Sequence, residues 1–322
     1  MKREDAIAVL GSGWDDFERL VRSTLHSGIQ LLDEVNESLL SNAGKQLRPM
    51  LLLFVSKALG GISKDSLHLA ASVEMLHNAT LLHDDVADGS SMRRGQATIA
   101  ALMGPSAAVL VGDYWLSKAM DLVLEIKHKD EAVTLFSRVL SKLAEGEMLQ
   151  LEKAETADTT EQDYLRIIYC KTASLFEAAC FAGALSVDAP SELCRAAADY
   201  GRAVGQAFQI RDDIFDYTDG SEIGKPVGLD LKERKITLPL LGALKDSPEA
   251  DAMRSKLRDI GGHSEYLAEL QAFVRDCGGI EYATSRLNDF VTEALEALRA
   301  FPESKEKEIL ASLAEYIAIR KK

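Results

Sequence analysis

The chain has 322 residues, 51 acidic against 37 basic, for a net charge of −14. That excess of acid excludes nucleic acid as an expected partner, since such binding rests on a basic surface. Hydrophobic residues make up 47% of the chain, ample for a core, and no uninterrupted apolar run suffices for a transmembrane segment. The first twenty residues carry acids throughout and no secretory apolar stretch, so a cytoplasmic location is expected.

Apolar residues recur at three- and four-residue steps through 15–40, 48–60, 65–88, 106–127, 130–155, 161–187 and 190–218, which predicts a helix over each. Further helices are expected over 235–245, 250–260, 264–277, 280–299 and 303–319. Turn chemistry falls at Asn42-Ala43-Gly44, Gly60-Gly61, Gly89 to Gly95, Gly104-Pro105, Asp188-Ala189-Pro190 and Gly261-Gly262. The segment 219–234, with three glycines and Pro226, is the longest irregular piece and a candidate lid. Alternating runs that would signal strands are missing. The expectation is a single all-α domain over residues 1–322, a large helical bundle around a central cavity. Cys170, Cys180, Cys194 and Cys277 have no paired metal-ligand spacing and are read as reduced, small and buried.

Two aspartate clusters of one form punctuate these helices. LLHDDVADG carries Asp84, Asp85 and Asp88, and FQIRDDIFDYTDG carries Asp212, Asp213 and Asp216. Residues four apart share a helix face, so Asp84 stacks over Asp88 and Asp212 over Asp216. Each group falls at a helix C-terminal end, where further negative charge costs stability. Bound cations are the natural reason to place acid there. Oxygen ligands without nearby Cys or clustered His favour Mg²⁺, which completes its shell with water and substrate phosphate. One isolated cluster would be read as a solvated helix face; two, each after an apolar run, favour two Mg²⁺ stations.

Basic residues gather beside the acids. Arg93 and Arg94 follow the first cluster, and GKQLRP supplies Lys45 and Arg48. His77 lies about two turns before Asp84, near the same face. KTAS supplies Lys171 and Thr172, while Lys225 and Lys235 follow the second cluster, and Gln209 precedes it on the same face. Guanidinium forks match phosphate oxygens in pairs, and Lys acts as a mobile point charge. Metal plus diphosphate is the ligand such a set fits. His77 is also compatible with a core histidine, Lys171 and Thr172 with ordinary helix surface, and His83 is read as structural.

GKQLRP, LLHDDVADGSSMRRG, KTAS, FQIRDDIFD, GKPVGLDL and KITLP, in this order, resemble the trans-isoprenyl diphosphate synthases, or polyprenyl synthetases. The resemblance runs from about Gly44 to about Leu240; Ala97 stands where this family often has proline. It implies head-to-tail condensation of isopentenyl diphosphate with an allylic diphosphate. It also implies two or three Mg²⁺ ions held by Asp84, Asp85, Asp88, Asp212, Asp213 and Asp216. Arg93, Lys171, Lys225 and Lys235 would hold the allylic diphosphate, and Lys45, Arg48, His77 and Arg94 isopentenyl diphosphate. Thr172 and Gln209 would present oxygen dipoles to the allylic cation. A homodimer is implied as well. A class I terpene cyclase would replace the second DDxxD by an Asn/Asp–Ser/Thr–Glu box. A non-catalytic subunit of a heteromeric synthase would lack one or both boxes.

Synthases of this family that stop early tend to place aromatics at the positions of Ala79 and Thr80. Both are small here, so a product longer than farnesyl is expected, from geranylgeranyl to about octaprenyl and toward the longer end, as for a quinone side chain. Phe136, about two and a half turns before Glu145, is the candidate floor of the product tunnel, with ordinary core packing as the other reading.

Overall fold

A computed structural model describes residues 3–217 and 228–320, and they are helical almost throughout, so the all-α expectation holds. By internal packing the chain forms two compact units. One comprises Met1–Phe136, Ala178–Ala198 and Ala300–Leu310; the other comprises Ser137–Glu177, Asp199–Arg299 and Ala311–Lys322.

The first unit opens with α1 (Arg3–Leu10), α2 (Ser12–Leu25), α3 (Gln30–Ser41), α4 (Leu47–Leu59) and α5 (Lys64–Ala87). A hairpin of β1 (Met92–Arg93) and β2 (Gln96–Ala97), then α6 (Ile99–Met103) and α7 (Pro105–Leu124), follow. α5 is the axis. Ser63 caps it by accepting from the Ser66 amide, and every residue from His68 to Leu76 is buried. α7 packs along it, with α4 and α2 also in contact. α4 buries every residue from Pro49 to Ser56, and α2 buries Trp14, Phe17, Val21 and Leu25 at helical spacing. One polar bridge crosses this core: Trp115 Nε1 donates to Asn36 Oδ1 at 2.8 Å, and Asn36 Nδ2 donates to Leu25 O at 2.8 Å.

The second unit takes most of α8 (Lys129–Thr156), then α9 (Glu161–Ile168), a π-turn stretch Tyr169–Ala173 and the start of α10 (Ser174–Leu185). It continues with α11 (Ser191–Phe215) from Asp199, α12 (Leu229–Lys232), α13 (Leu238–Leu244), α14 (Ala250–Arg258), α15 (Glu265–Asp276) and α16 (Gly279–Ala297). The end of α17 (Lys305–Ile319) completes it. α13 packs on α16, and α16 reaches α9 where Tyr282 Oη donates to Glu161 Oε2 at 2.5 Å and Arg286 Nε to Glu161 Oε1 at 3.1 Å.

Several expectations change. The run 15–40 is two helices broken around Gly28, whose φ is 79°, and α1 precedes them unforeseen. The run 161–187 is one course interrupted by the π stretch. By length and composition Glu161–Leu185 could cross a bilayer, but its apolar run is interrupted by charged residues and 78% of its apolar window is buried, as in a core helix. A two-residue ladder forms where no strand was expected, and Cys277 is exposed rather than buried.

Asn36→Ala is expected to cost about 1–3 kcal/mol, because the buried indole N–H and a carbonyl both lose a partner. Urea unfolding should show a lower midpoint with unchanged slope; an unchanged midpoint would show that the bridge adds nothing.

Candidate active site

In the first unit the acid cluster ends α5. The Asp88 amide donates to Asp84 O at 2.8 Å, Asp84 is half-buried and Asp88 is exposed at the helix end. Asp85 is turned inward, 4% exposed, and accepts from Arg93 Nε at 2.7 Å. Arg93 is held there by the hairpin. Arg94 and Gly95 at its tip both have positive φ, 51° and 78°, as a tight primed turn requires. Arg94 is thereby sent to the Asn42–Gln46 turn, where Nη1 donates to Asn42 O at 2.9 Å. Gly44 makes room for it: a Cβ there would lie 2.5 Å from Arg94 Cζ.

Arg48 Nη1 lies 3.0 Å from His77 Nε2. A guanidinium only donates, so the imidazole accepts at Nε2 and carries its proton on Nδ1. Burial, reinforced by Arg48, Arg94 and Arg93, holds His77 well below the usual imidazole range, so the ring is neutral. His77 therefore orients Arg48. Lys45 is exposed on the same turn. Glu74 was missed by the sequence reading. It is 3% exposed, accepts from Asn78 Nδ2 at 3.1 Å, and lies in the field of Arg48, Arg94 and Arg3; burial pushes its carboxyl up. A lone acid inside HLAASVEMLHN was the available signal, since a buried acid needs partners. Ala79 is buried, Thr80 donates its hydroxyl to His77 O at 2.8 Å, and Phe136 is fully buried.

In the second unit the π stretch opens the helix so that the Ser174 amide donates to Tyr169 O. Gly205 of α11 admits its backbone closely: a Cβ there would meet Ala173 Cα at 2.5 Å. This approach joins the predicted pair. Thr172 Oγ1 donates to Gln209 Oε1 at 2.7 Å, and Gln209 Nε2 donates to Asp213 Oδ1 at 2.8 Å. Tyr164, which no motif marks, donates its hydroxyl to Asp213 Oδ2 at 2.6 Å. Lys171 Nζ lies 2.5 Å from Glu147 Oε2, and Lys235 Nζ lies 2.5 Å from Glu233 Oε2.

The other two acids also have partners. Asp212 pairs with Arg320, which is 4% exposed and stacks over Phe208 at 4.3 Å. Nothing in the sequence around Arg320 marks it. α11 stops at Phe215, so Asp216 does not continue the face of Asp212 as helical spacing predicts. Its carboxylate instead accepts the amides of Gly228, Leu229 and Asp230 at 3.0, 3.1 and 3.0 Å, capping α12. Lys225 and positions 219–227 of the lid segment lie outside the described residues.

The electrostatics of these acids test the fit of a cation. Burial, then Asp230, pushes Asp213 well above the usual carboxylate range, and burial raises Asp216. Burial and the neighbouring Asp216 push Asp230 up to about 7. Oxygen-only donors whose ionisation is opposed by burial and by one another fit a hard divalent ion such as Mg²⁺. Among the described residues no three acidic, cysteine or imidazole side chains form a finished shell. Mg²⁺ usually takes one or two carboxylates and completes its shell with water and substrate phosphate.

Residues 29–274 match the polyprenyl synthetase family model. The octaprenyl diphosphate synthase of Escherichia coli (strain K12) is 38% identical over 300 residues, 92% of each chain. The crystal structure of a decaprenyl diphosphate synthase from Rhodobacter capsulatus matches at a TM-score of 0.93 and 34% identity, with both chains fully covered. That of a polyprenyl synthase from Caulobacter crescentus CB15, complexed with calcium and isoprenyl diphosphate, matches at 0.90 and 31%, covering 100% of this chain and 98% of that one. Motif order, all-α fold and these similarities agree: the chain belongs to the polyprenyl synthetase family and is a trans-prenyltransferase.

Proposed function

We propose that the protein condenses isopentenyl diphosphate head-to-tail with an allylic diphosphate and releases diphosphate. The product is an all-trans polyprenyl diphosphate longer than farnesyl, between geranylgeranyl and about octaprenyl. The observation that carries this reading is the set of guanidiniums fixed beside the acids of α5: Arg93 on Asp85, Arg94 over Gly44 and Arg48 on neutral His77. Donors fixed in this way bind a diphosphate with little loss of side-chain freedom.

Lys45, Arg48 and Arg94 hold isopentenyl diphosphate, with His77 orienting Arg48. Arg93, Lys171 and Lys235, with Lys225, hold the allylic diphosphate. Asp84 and Asp88 at the end of α5, and Asp212, are the foremost Mg²⁺ ligands. Asp85, Asp213 and Asp216 act mainly by positioning Arg93, Gln209 and α12. Bound Mg²⁺ neutralises charge building on the leaving diphosphate. Cleavage of the allylic C–O bond leaves a cation at C1, and the isopentenyl double bond supplies the electron pair of the new C–C bond. A proton then passes to the released diphosphate. Thr172 gives its hydroxyl hydrogen to Gln209, so its lone pairs form the negative end of a fixed dipole for the cation.

We further propose a cytoplasmic homodimer serving a quinone side chain. Exposed apolar residues on α6 and α7, Leu102 at 67% and Leu110 at 68%, support a surface for a second copy.

Asp84→Ala should abolish turnover with an unchanged thermal midpoint, and EDTA should stop the wild type until Mg²⁺ is restored. Full activity without divalent metal would end this reading. Since burial holds Asp213 well above the usual carboxylate range and Asp230, beside Asp216, is pushed up to about 7, Mg²⁺ binding at this cluster should release protons and tighten as pH rises from 6 to 8, by up to about tenfold per unit for each proton displaced. Calorimetry in two buffers of different ionisation enthalpy measures this; pH-independent binding would contradict it. For chain length, Ala79→Tyr should shorten the product to about farnesyl and Phe136→Ala should lengthen it, as read by chromatography of radiolabelled product. No change with either variant would remove Ala79 and Phe136 from the tunnel.

A further inference from the structure

The first unit contains a cleft of about 500 Å³ lined by Arg3, Arg22, Asn42, Gly44, Gln46 and Arg94, among others. Its charge is unbalanced. Arg22 pairs with Glu37, and Glu18, also in the lining, accepts from Trp14 Nε1 at 3.0 Å. Arg3 and Arg94 form no ion pair among the described residues. They are held by neutral oxygens: Arg3 Nη2 donates to Gln46 Oε1 at 2.7 Å, and Arg94 Nη1 donates to Asn42 O at 2.9 Å. Arg3 also lies over the Trp14 ring at 5.6 Å, and its Nε is buried with no acceptor. A buried donor of this kind calls for an explanation, and an anion in the cleft supplies the acceptor.

The two guanidiniums grip opposite ends of one turn. Gln46 has a left-handed backbone, φ 49°, immediately before α4, and Gly44 has φ 72°. A strained non-glycine conformation of this kind persists where its surroundings enforce it. This turn carries Lys45 and leads directly into Arg48. α1 itself is anchored to α4, since Lys57 Nζ donates to Val9 O at 2.6 Å. Arg3 also acts on the same buried Glu74 as Arg48 and Arg94, so the three cations share one electrostatic neighbourhood.

We propose that Arg3, delivered by α1 and set by Gln46 and Trp14, is a further binding residue for the diphosphate of isopentenyl diphosphate. The inference rests on the assignment of Lys45, Arg48 and Arg94 to that substrate. The N-terminal helix is then part of the substrate site, with Arg94 as the residue shared by the cleft and the isopentenyl diphosphate set.

The test compares Arg3→Ala, Arg3→Lys and Arg48→Ala by steady-state kinetics in each substrate separately. Arg3→Ala should raise the KM for isopentenyl diphosphate about tenfold, as for loss of one charge-assisted hydrogen bond, with kcat and the allylic KM within about twofold. Arg3→Lys should recover part of the loss. An isopentenyl diphosphate KM within about twofold of wild type, or equal shifts for both substrates, would overturn the proposal. If Arg48→Ala raises that KM and Arg3→Ala does not, only the role of Arg3 fails. If Arg48→Ala acts on the allylic substrate instead, the underlying assignment fails. Should Arg3→Ala not fold, hydrogen exchange on the wild type decides. Isopentenyl diphosphate alone should slow exchange across residues 3–10; unchanged exchange there would refute the proposal.

Discussion

Carboxylates cannot be crowded into a partly buried site as anions unless something answers their charge. The second aspartate cluster displays three answers at once. Asp213 and Asp230 tend to keep protons, Asp212 takes a guanidinium, and Asp216 takes three backbone amides at the start of α12. Each answer fixes a further piece of structure. Tyr164 and Gln209 are tied to Asp213, Arg320 to Asp212, and α12 to Asp216. On the proposed reading, a divalent ion held here would compete with the proton and the guanidinium for the same lone pairs without needing to disturb the amides. The cap on α12 can therefore survive loading, while the protons and the Arg320 contact are the parts expected to yield.

The basic side obeys a complementary rule. Arginines brought together repel, and their neighbours in this protein hold them without consuming their charge. Neutral His77 accepts from Arg48, a carbonyl accepts from Arg94 and an amide oxygen accepts from Arg3. A protonated imidazole would repel Arg48 and lose its acceptor, so burial of His77 is part of the device rather than an accident of packing. Arg93 is the exception, because it is set by a carboxylate of the acid cluster. It belongs electrostatically to the metal side, in keeping with its assignment to the allylic diphosphate.

The all-α class was legible because helical periodicity runs through nearly every segment, and the acid boxes with their basic neighbours pointed to diphosphate chemistry before any coordinates. The finer geometry was hidden for physical reasons. Spacing placed Asp216 over Asp212, but α11 ends at Phe215 and the Asp216 carboxylate accepts the amides of residues 228–230, a long-range partner that no local spacing shows. The Thr172–Gln209 bond depends on a π stretch and on Gly205, features of tertiary contact with no periodic signature. Tyr164 and Arg320 lie far along the chain from the acids they bind, so no local pattern could nominate them. Glu74 was the one missed residue with a visible signal.

On the proposed reading, α5 would tie chemistry to product length. His77, Ala79, Thr80 and Asp84 ride on one helix whose N-terminus is capped and which is buried continuously from His68 to Leu76. At about 1.5 Å per residue, His77 stands about 10 Å from Asp84 along the axis and Ala79 about 7.5 Å. Because a packed helix does not stretch, the separation between His77 and Asp84 is the same whatever side chain occupies position 79. Under the proposed assignment, product length would then vary with side-chain size at positions 79 and 80 without moving a charged group. A buried alanine is suited to this, since enlarging it acts on neighbouring volume alone, whereas a change at His77 releases Arg48.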